Sequence, residues 1–195
     1  MYMILDTETT GIPKTISYNN YYGYKDSKKY DSSRLVQFAW MVFDEKHNEI
    51  SRYCYIVKPS GFVIPDNMIH GIDNTTALHD GHKLYHILKQ FQLDLDKVET
   101  IIGHNIGFDK NVLLAELYRR NKNKTLNKFK SKTFKCTGEL SKHICNIPLG
   151  NIIKFPKLVE SYNIIVKKPI KNKLHDAMYD CILCSELYHK LIDNS

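Results

Sequence analysis

No apolar stretch in this chain approaches the roughly eighteen residues that a helical membrane span requires. Its first residues look like a strand, not a basic leader with a cleavage site, so the chain is read as soluble and mature, with no membrane partner. Cysteine is scarce and odd in number. Cys54, Cys136, Cys145, Cys181 and Cys184 are irregularly spaced, which excludes a secreted disulfide framework and points to an intracellular setting. Acid is in deficit, with 21 Asp plus Glu against 28 Lys plus Arg, and the net charge of +7 favours a polyanionic partner. A chain of 195 residues, 43% of them hydrophobic, suits one domain over 1–195 with a sizeable core.

What is present centres on Ile4-Leu5-Asp6-Thr7-Glu8-Thr9-Thr10-Gly11, an apolar run that ends in two carboxylates one residue apart. A strand over Tyr2 to Thr7 sends Asp6 and Glu8 to one side and Thr7 to the other. Two like charges at the mouth of a buried strand are costly unless a cation lies between them. All-oxygen donors suit a hard divalent ion such as Mg²⁺ or Mn²⁺. Asp-x-Glu alone equally describes a strand running out into a polar turn at Gly11 and Pro13, so the decision falls to the rest of the chain.

From about 14 to 33 the sequence mixes Tyr18, Tyr21, Tyr22, Tyr24 and Tyr30 with Lys25, Lys28 and Lys29 and lacks apolar periodicity, which predicts a loop-like insertion. It is either a surface that stacks bases and meets phosphates or a variable insertion that tolerates tyrosine. Leu35 to Phe43 and Ile50 to Val57 predict a hairpin of two strands. Pro65 to Gly71 predicts a short helix opened by Pro and closed by Gly, and Leu84, Ile87, Leu88 and Phe91 have helical spacing. His79, His82 and His86 have no nearby cysteine to complete a structural zinc set and are left out of the site.

Thr100 to His104 is a short apolar run followed by Asn105, Gly107 and Asp109, after which Val112, Leu113, Leu114, Leu117 and Tyr118 recur at helical spacing. Asp109 therefore falls at a strand-to-helix junction, where it is either a cap or a carboxylate kept ionised by the helix dipole. Arg119, Arg120, Lys122, Lys124, Lys128, Lys130, Lys132 and Lys135 follow with no acid among them, a basic segment at about 119–135. It reads as a contact for a phosphate backbone or as a solvated linker. Helical patterns return at Thr137 to Cys145 and Phe155 to Tyr162. In the last helix Ala177, Cys181, Cys184, Tyr188 and Leu191 define one buried stripe, so the Cys-x-x-Cys pair is core and not a redox centre. Asp176 is placed to cap that helix, with His175 just before it and Asp180 inside its first turns.

Asp6, Glu8, Asp109 and Asp180 all stand at element ends, with His175 beside them. If those ends meet, they form the cage of oxygens that two-metal phosphodiester hydrolysis requires, and a histidine, titrating near neutrality, is suited to take a proton from water. Asp6 to Gly11 resembles the first motif of the DnaQ-like, DEDDh-type 3′–5′ exonucleases. Gly103-His104-Asn105-Ile106-Gly107-Phe108-Asp109 resembles the second, and His175-Asp176-Ala177-Met178-Tyr179-Asp180 is similar to the third. His70-Gly71-Ile72 and Cys136-Thr137 are similar to features of stand-alone members such as exonuclease X.

The resemblance implies an α/β, ribonuclease-H-like fold, a mixed five-stranded sheet with helices on both faces. It implies two Mg²⁺ or Mn²⁺ held by Asp6, Glu8, Asp109 and Asp180, with His175 as general base. Substrate contacts would come from Thr9, Thr10, Ile12, His104, Asn105 and Phe108. The expected activity is removal of nucleotides from DNA 3′ ends, single-stranded or frayed. The alternatives are an exoribonuclease on RNA or short oligoribonucleotides, which differs only in contacts to the 2′ position, and a nucleic-acid-binding module without chemistry. No polymerase or helicase segment accompanies the motifs, which leaves proofreading in trans. The oligomeric state, a dimer included, stays open.

Overall fold

The computed structural model describes residues 1–17, 19–66, 68–171 and 174–193; Tyr18 of the insertion and Asn67 of the expected short helix lie outside them. Strand β1 (Tyr2–Thr9) is central in a five-stranded sheet. A small hairpin follows, β2 (Thr15–Ser17) with β3 (Asn20–Tyr21), and then the long strands β4 (Leu35–Phe43) and β5 (Glu49–Ile56). Next come α1 (Asn74–Asp80), α2 (Leu84–Leu95), β6 (Thr100–Gly103), α3 (Gly107–Arg119), α4 (Asn123–Lys130) and β7 (Thr133–Cys136). The chain closes with α5 (Thr137–Cys145), the hairpin β8 (Pro148–Leu149) and β9 (Ile152–Ile153), α6 (Leu158–Ser161) and α7 (Ala177–Asp193).

The sheet order is β5-β4-β1-β6-β7. β1 is antiparallel to β4 and parallel to β6, and β6 is parallel to β7, which is the mixed sheet expected from the motifs. Period two sorts β1 between two cores. Met3 and Leu5 join Phe38, Trp40 and Val42 under α2, α3 and α4, whereas Tyr2 and Ile4 join Ala39 and Met41 under Ala177, Cys181, Cys184 and Tyr188 of α7. Helices thus cover both faces. Asp6 and Glu8, continuing the even-numbered row, project toward α7.

One detail of register opens the site. β1 pairs with β6 only from Tyr2 to Ile4, so its last residues run beyond the carboxyl end of β6 while still paired to β4 on the other side. A crevice outside the carboxyl ends of parallel strands, where neighbouring connections diverge, is where sheets of this kind admit ligands.

Three expectations change. The described residues of 65–71 form turn and irregular structure, with Gly71 at φ +74 and its N–H donated to the Met68 carbonyl; the helix starts later, where Asp73 caps α1 by accepting from the Thr76 N–H at 2.7 Å. Pro and Gly there mark punctuation of a loop, and the side-chain cap marks the helix. The 14–33 insertion is folded: it holds the β2–β3 hairpin and a 3₁₀ turn at Ser27–Tyr30 whose Tyr30 is fully buried. Of the two readings of the basic segment the linker falls, since the segment runs from the end of α3 through α4 to β7.

Candidate active site

Three elements deliver the acids. β1 carries Asp6 and Glu8, and its register shifts after Glu8, which turns the chain out of the sheet at Thr9. Asp109 lies in the first turn of α3, where its Oδ1 accepts both the Thr7 backbone N–H at 2.9 Å and the Thr7 hydroxyl at 2.7 Å. That N–H is available because β6 has already ended, so the carboxylate takes the place of a strand partner. α7 brings Asp180 one turn inside its start. Asp176 caps the helix, its Oδ1 accepting the Tyr179 N–H at 2.9 Å. His175, just outside, is exposed and in the left-handed region at φ +64.

A glutamine that the motifs do not contain locks α7 to the sheet. Gln37 stands directly opposite Glu8 in the β1–β4 ladder. Its Oε1 accepts the Ala177 N–H at 2.9 Å and its Nε2 donates to Asp176 Oδ2 at 3.0 Å. The start of α7, and hence His175 and Asp180, is fixed against β4, the strand paired to the one that carries Glu8. The sequence held a signal for it: Gln37 is the lone polar residue in the otherwise apolar run Leu35 to Phe43.

The three elements converge. Among the described residues, Glu8, His175 and Asp180 offer ligand atoms that all lie within 4.8 Å of one another. Burial, and then mutual repulsion, raises the carboxyl groups: Asp6 well above its ordinary value, Glu8 to about 8. Asp109 rises to about 7 through burial despite the Thr7 hydrogen bonds that oppose it, and Asp180 to about 6, burial outweighing the nearby His175. Asp180 Oδ1 is buried without a hydrogen-bond donor. Four crowded carboxylates with an orphaned oxygen, and among the described residues no lysine or arginine between them, fit a hard divalent cation, which compensates their charge and prefers oxygen donors.

A family model described as Exonuclease, the RNase T family, matches residues 3–188. The chain belongs to the exonuclease family. Solved structures with this fold include E. coli Exonuclease I in complex with a dA16 oligonucleotide, at 17% identity and a TM-score of 0.68 over 99% of this chain. A moderately thermophilic Exonuclease I from Methylocaldum szegediense matches at 19% identity and a TM-score of 0.69 over 99% of this chain. Cell-death related nuclease 4 matches at 15% and 0.58 over the whole chain. The chain spans 40% of the length of either Exonuclease I and 64% of the cell-death related nuclease. At these identities the likeness is one of fold. No sequence match among curated proteins reaches significance.

In this exonuclease-family chain the expected substrate residues divide into two groups. Ile12 is 76% exposed in the turn after β1, and Asn105 takes the left-handed conformation at φ +58 just after β6. Phe108 is half-buried against the α2–α3 core. Thr9 donates its hydroxyl to the Gly11 carbonyl and Thr10 donates its own to Ser32, so both shape the turn after β1. His104 uses both ring nitrogens internally. Nε2, facing the Pro156 carbonyl at 2.9 Å, must carry the hydrogen, which leaves Nδ1 to accept from the Thr137 hydroxyl at 3.0 Å; burial lowers its pKa and keeps it neutral.

The basic segment is dispersed. Arg119 is held by Glu116, Asp31 and the Ser27 carbonyl, and Lys132 is buried with its ammonium on the Val98 carbonyl. Lys122 and Lys130 lie over the rings of Tyr85 and Tyr24, and Lys128 faces Asp96. Arg120 is half-buried, while Lys124 and Lys135 are exposed. α3 carries the start of this segment about 15 Å along its axis from Asp109. No helix among the described residues is long and apolar enough to cross a membrane.

Proposed function

We propose that this chain is a divalent-metal-dependent 3′–5′ exonuclease that releases nucleotides from DNA 3′ ends, with single-stranded or frayed ends preferred. The observation that carries the reading is the convergence of Glu8, His175 and Asp180 in one 4.8 Å cluster beside the buried Asp6 and Asp109. Exonuclease I bound to dA16, 5cy-dA13 and dT13 oligonucleotides shares the fold, which favours a DNA single strand over RNA.

Asp6, Glu8, Asp109 and Asp180 would hold two Mg²⁺ or Mn²⁺. Bound there, such ions supply the positive charge that eases deprotonation of water near neutral pH and stabilises a leaving 3′ oxygen. Asp109, fixed through Oδ1 by Thr7, keeps its second oxygen for that task. His175 is exposed at the lip, where its ring accepts the proton of the attacking water and returns it to solvent. Asn105, Phe108 and Ile12 line the approach and orient the terminal nucleotide.

Matched DNA and RNA oligomers labelled at the 5′ end, incubated with Mg²⁺ or with EDTA, test the reading. The expected product is a ladder shortening from the 3′ end of DNA, only with metal. His175→Ala should lower kcat by roughly 10²–10⁴-fold while leaving most metal and substrate binding, because it removes a base and not a carboxylate. Trimming of RNA alone would assign the site to ribonucleic acid, and tight binding without cleavage would assign the fold to a binding module.

A further inference from the structure

A cavity of the molecule lies not at the acids but next to them. It has a volume of about 780 Å³ and lies between the β8–β9 hairpin, the segment 154–157 and α5. Asn105, four residues before Asp109, forms part of its wall, so cavity and acid cluster share the turn between β6 and α3. His104 holds this arrangement: its two hydrogen bonds tie the end of β6 to Thr137 on α5 and to Pro156 on the far wall. Phe155 is pressed so closely onto α5 that a Cβ on Gly138 would meet its ring at 2.2 Å. The wall is built, not a loose loop.

Its chemistry is twofold. The lip is apolar and uncovered, with Leu149 56% and Ile152 66% exposed side by side on the β8–β9 hairpin. Around it stand Lys142, Lys154 and Lys157. Between 142 and 160 the one acid is Glu160, which takes the Lys154 ammonium at 2.5 Å and the Lys157 backbone N–H at 2.8 Å. An apolar floor with a cationic rim suits a nucleobase laid flat and its phosphate held by ammonium groups. The dispersed basic segment cannot serve that purpose near the acids.

We propose that this cavity is a second nucleotide subsite, taking a base and phosphate of the DNA single strand upstream of the bond being cut. The proposal rests on the reading of the chain as a 3′–5′ exonuclease. Binding there adds affinity only for strands long enough to reach from the acids to the hairpin, so KM becomes length-dependent while kcat does not.

The test compares Ile152→Asp and Lys142→Glu with the unmodified chain, each checked by circular dichroism. The substrates, with Mn²⁺, are the 5′-p-nitrophenyl ester of thymidine monophosphate, which reaches only the acids, and oligothymidylates of increasing length. In the unmodified chain KM should fall about tenfold once the strand spans the cavity. Each variant should lose that gain and retain its ester turnover. Equal length dependence in all three proteins, or none in any, overturns the subsite and leaves the nuclease reading standing. Failure of the unmodified chain to hydrolyse ester and oligomer alike overturns the nuclease reading itself. Should Lys142→Glu fold poorly, the exposed Ile152→Asp decides alone.

Discussion

The Thr7 backbone N–H and hydroxyl both donate to the same oxygen of Asp109, at 2.9 and 2.7 Å, across 102 residues of sequence. This pair joins the strand that carries Asp6 and Glu8 to the helix that carries Asp109, and it aims the carboxylate before any cation arrives. Thr7→Val keeps the strand and the backbone donor and deletes only the hydroxyl. Outer partners of metal ligands typically matter by about 10–100-fold in affinity or activity. Titrating exonuclease activity with Mn²⁺ should show the half-saturating concentration rising within that range; an unchanged titration would mean that the hydroxyl does no aiming.

Gln37 makes the second such joint, between Glu8's partner strand and the first turn of α7. Gln37→Met preserves length and burial but neither accepts from Ala177 nor donates to Asp176. The helix start should loosen, with faster amide exchange at Ala177 and Tyr179, and kcat should fall about tenfold with the oligonucleotide KM unchanged. A rise in KM with kcat preserved would assign Gln37 to substrate binding and not to positioning.

Glu116 is 1% exposed and balances two guanidinium groups, accepting from Arg34 Nε at 2.6 Å and Arg119 Nη1 at 3.1 Å. Arg119 in turn reaches Asp31 and the Ser27 carbonyl of the insertion. Glu116→Ala leaves Arg34 without its counterion and Arg119 with Asp31 alone, and breaking a buried pair in this way typically costs about 3–5 kcal/mol. Urea denaturation should show that loss. Limited proteolysis of the variant should cut first within 14–33, since the insertion is docked on α3 through the same arginine.

Much of this was legible in the sequence because it is local. Alternation in Tyr2 to Thr9 told which side Asp6 and Glu8 take, and the stripe through Ala177, Cys181, Cys184 and Tyr188 told which face of α7 is inward. The contacts that aim the site join positions 102 and 140 residues apart, and no spacing rule reaches that far. The layout of the basic segment was hidden for a related reason. Lys132 and Arg119 look like their neighbours in a charge run, but one ends under Val98 and the other in a network with Glu116. A row of cations in sequence is a row in space only if a single face carries it, and here a helix, a turn and a strand divide it.

The crowding of acids at the end of β1 makes folding stability depend on pH and on cations together. In the metal-free protein Asp180, Asp109 and Glu8 protonate at about 6, 7 and 8, and Asp6 is raised as well, all above the ordinary carboxyl range of an unfolded chain. Between that range and pH 8 the folded state holds more protons than the unfolded one, so the stability that these groups contribute is fully present below about pH 4 and is lost as pH rises through 6 to 8. Mn²⁺ or Mg²⁺ should reverse the loss by occupying the ionised carboxylates. Asp6→Asn removes the charge that the other acids feel, so its Tm in EDTA at pH 8 should exceed that of the unmodified chain, its decline with pH should be shallower, and exonuclease activity should vanish. Thermal melts from pH 5 to 8, with EDTA and with Mn²⁺, read all of these at once. A Tm in EDTA that rises toward pH 8, or that Asp6→Asn lowers, would show that the four carboxylates do not repel one another in the folded chain.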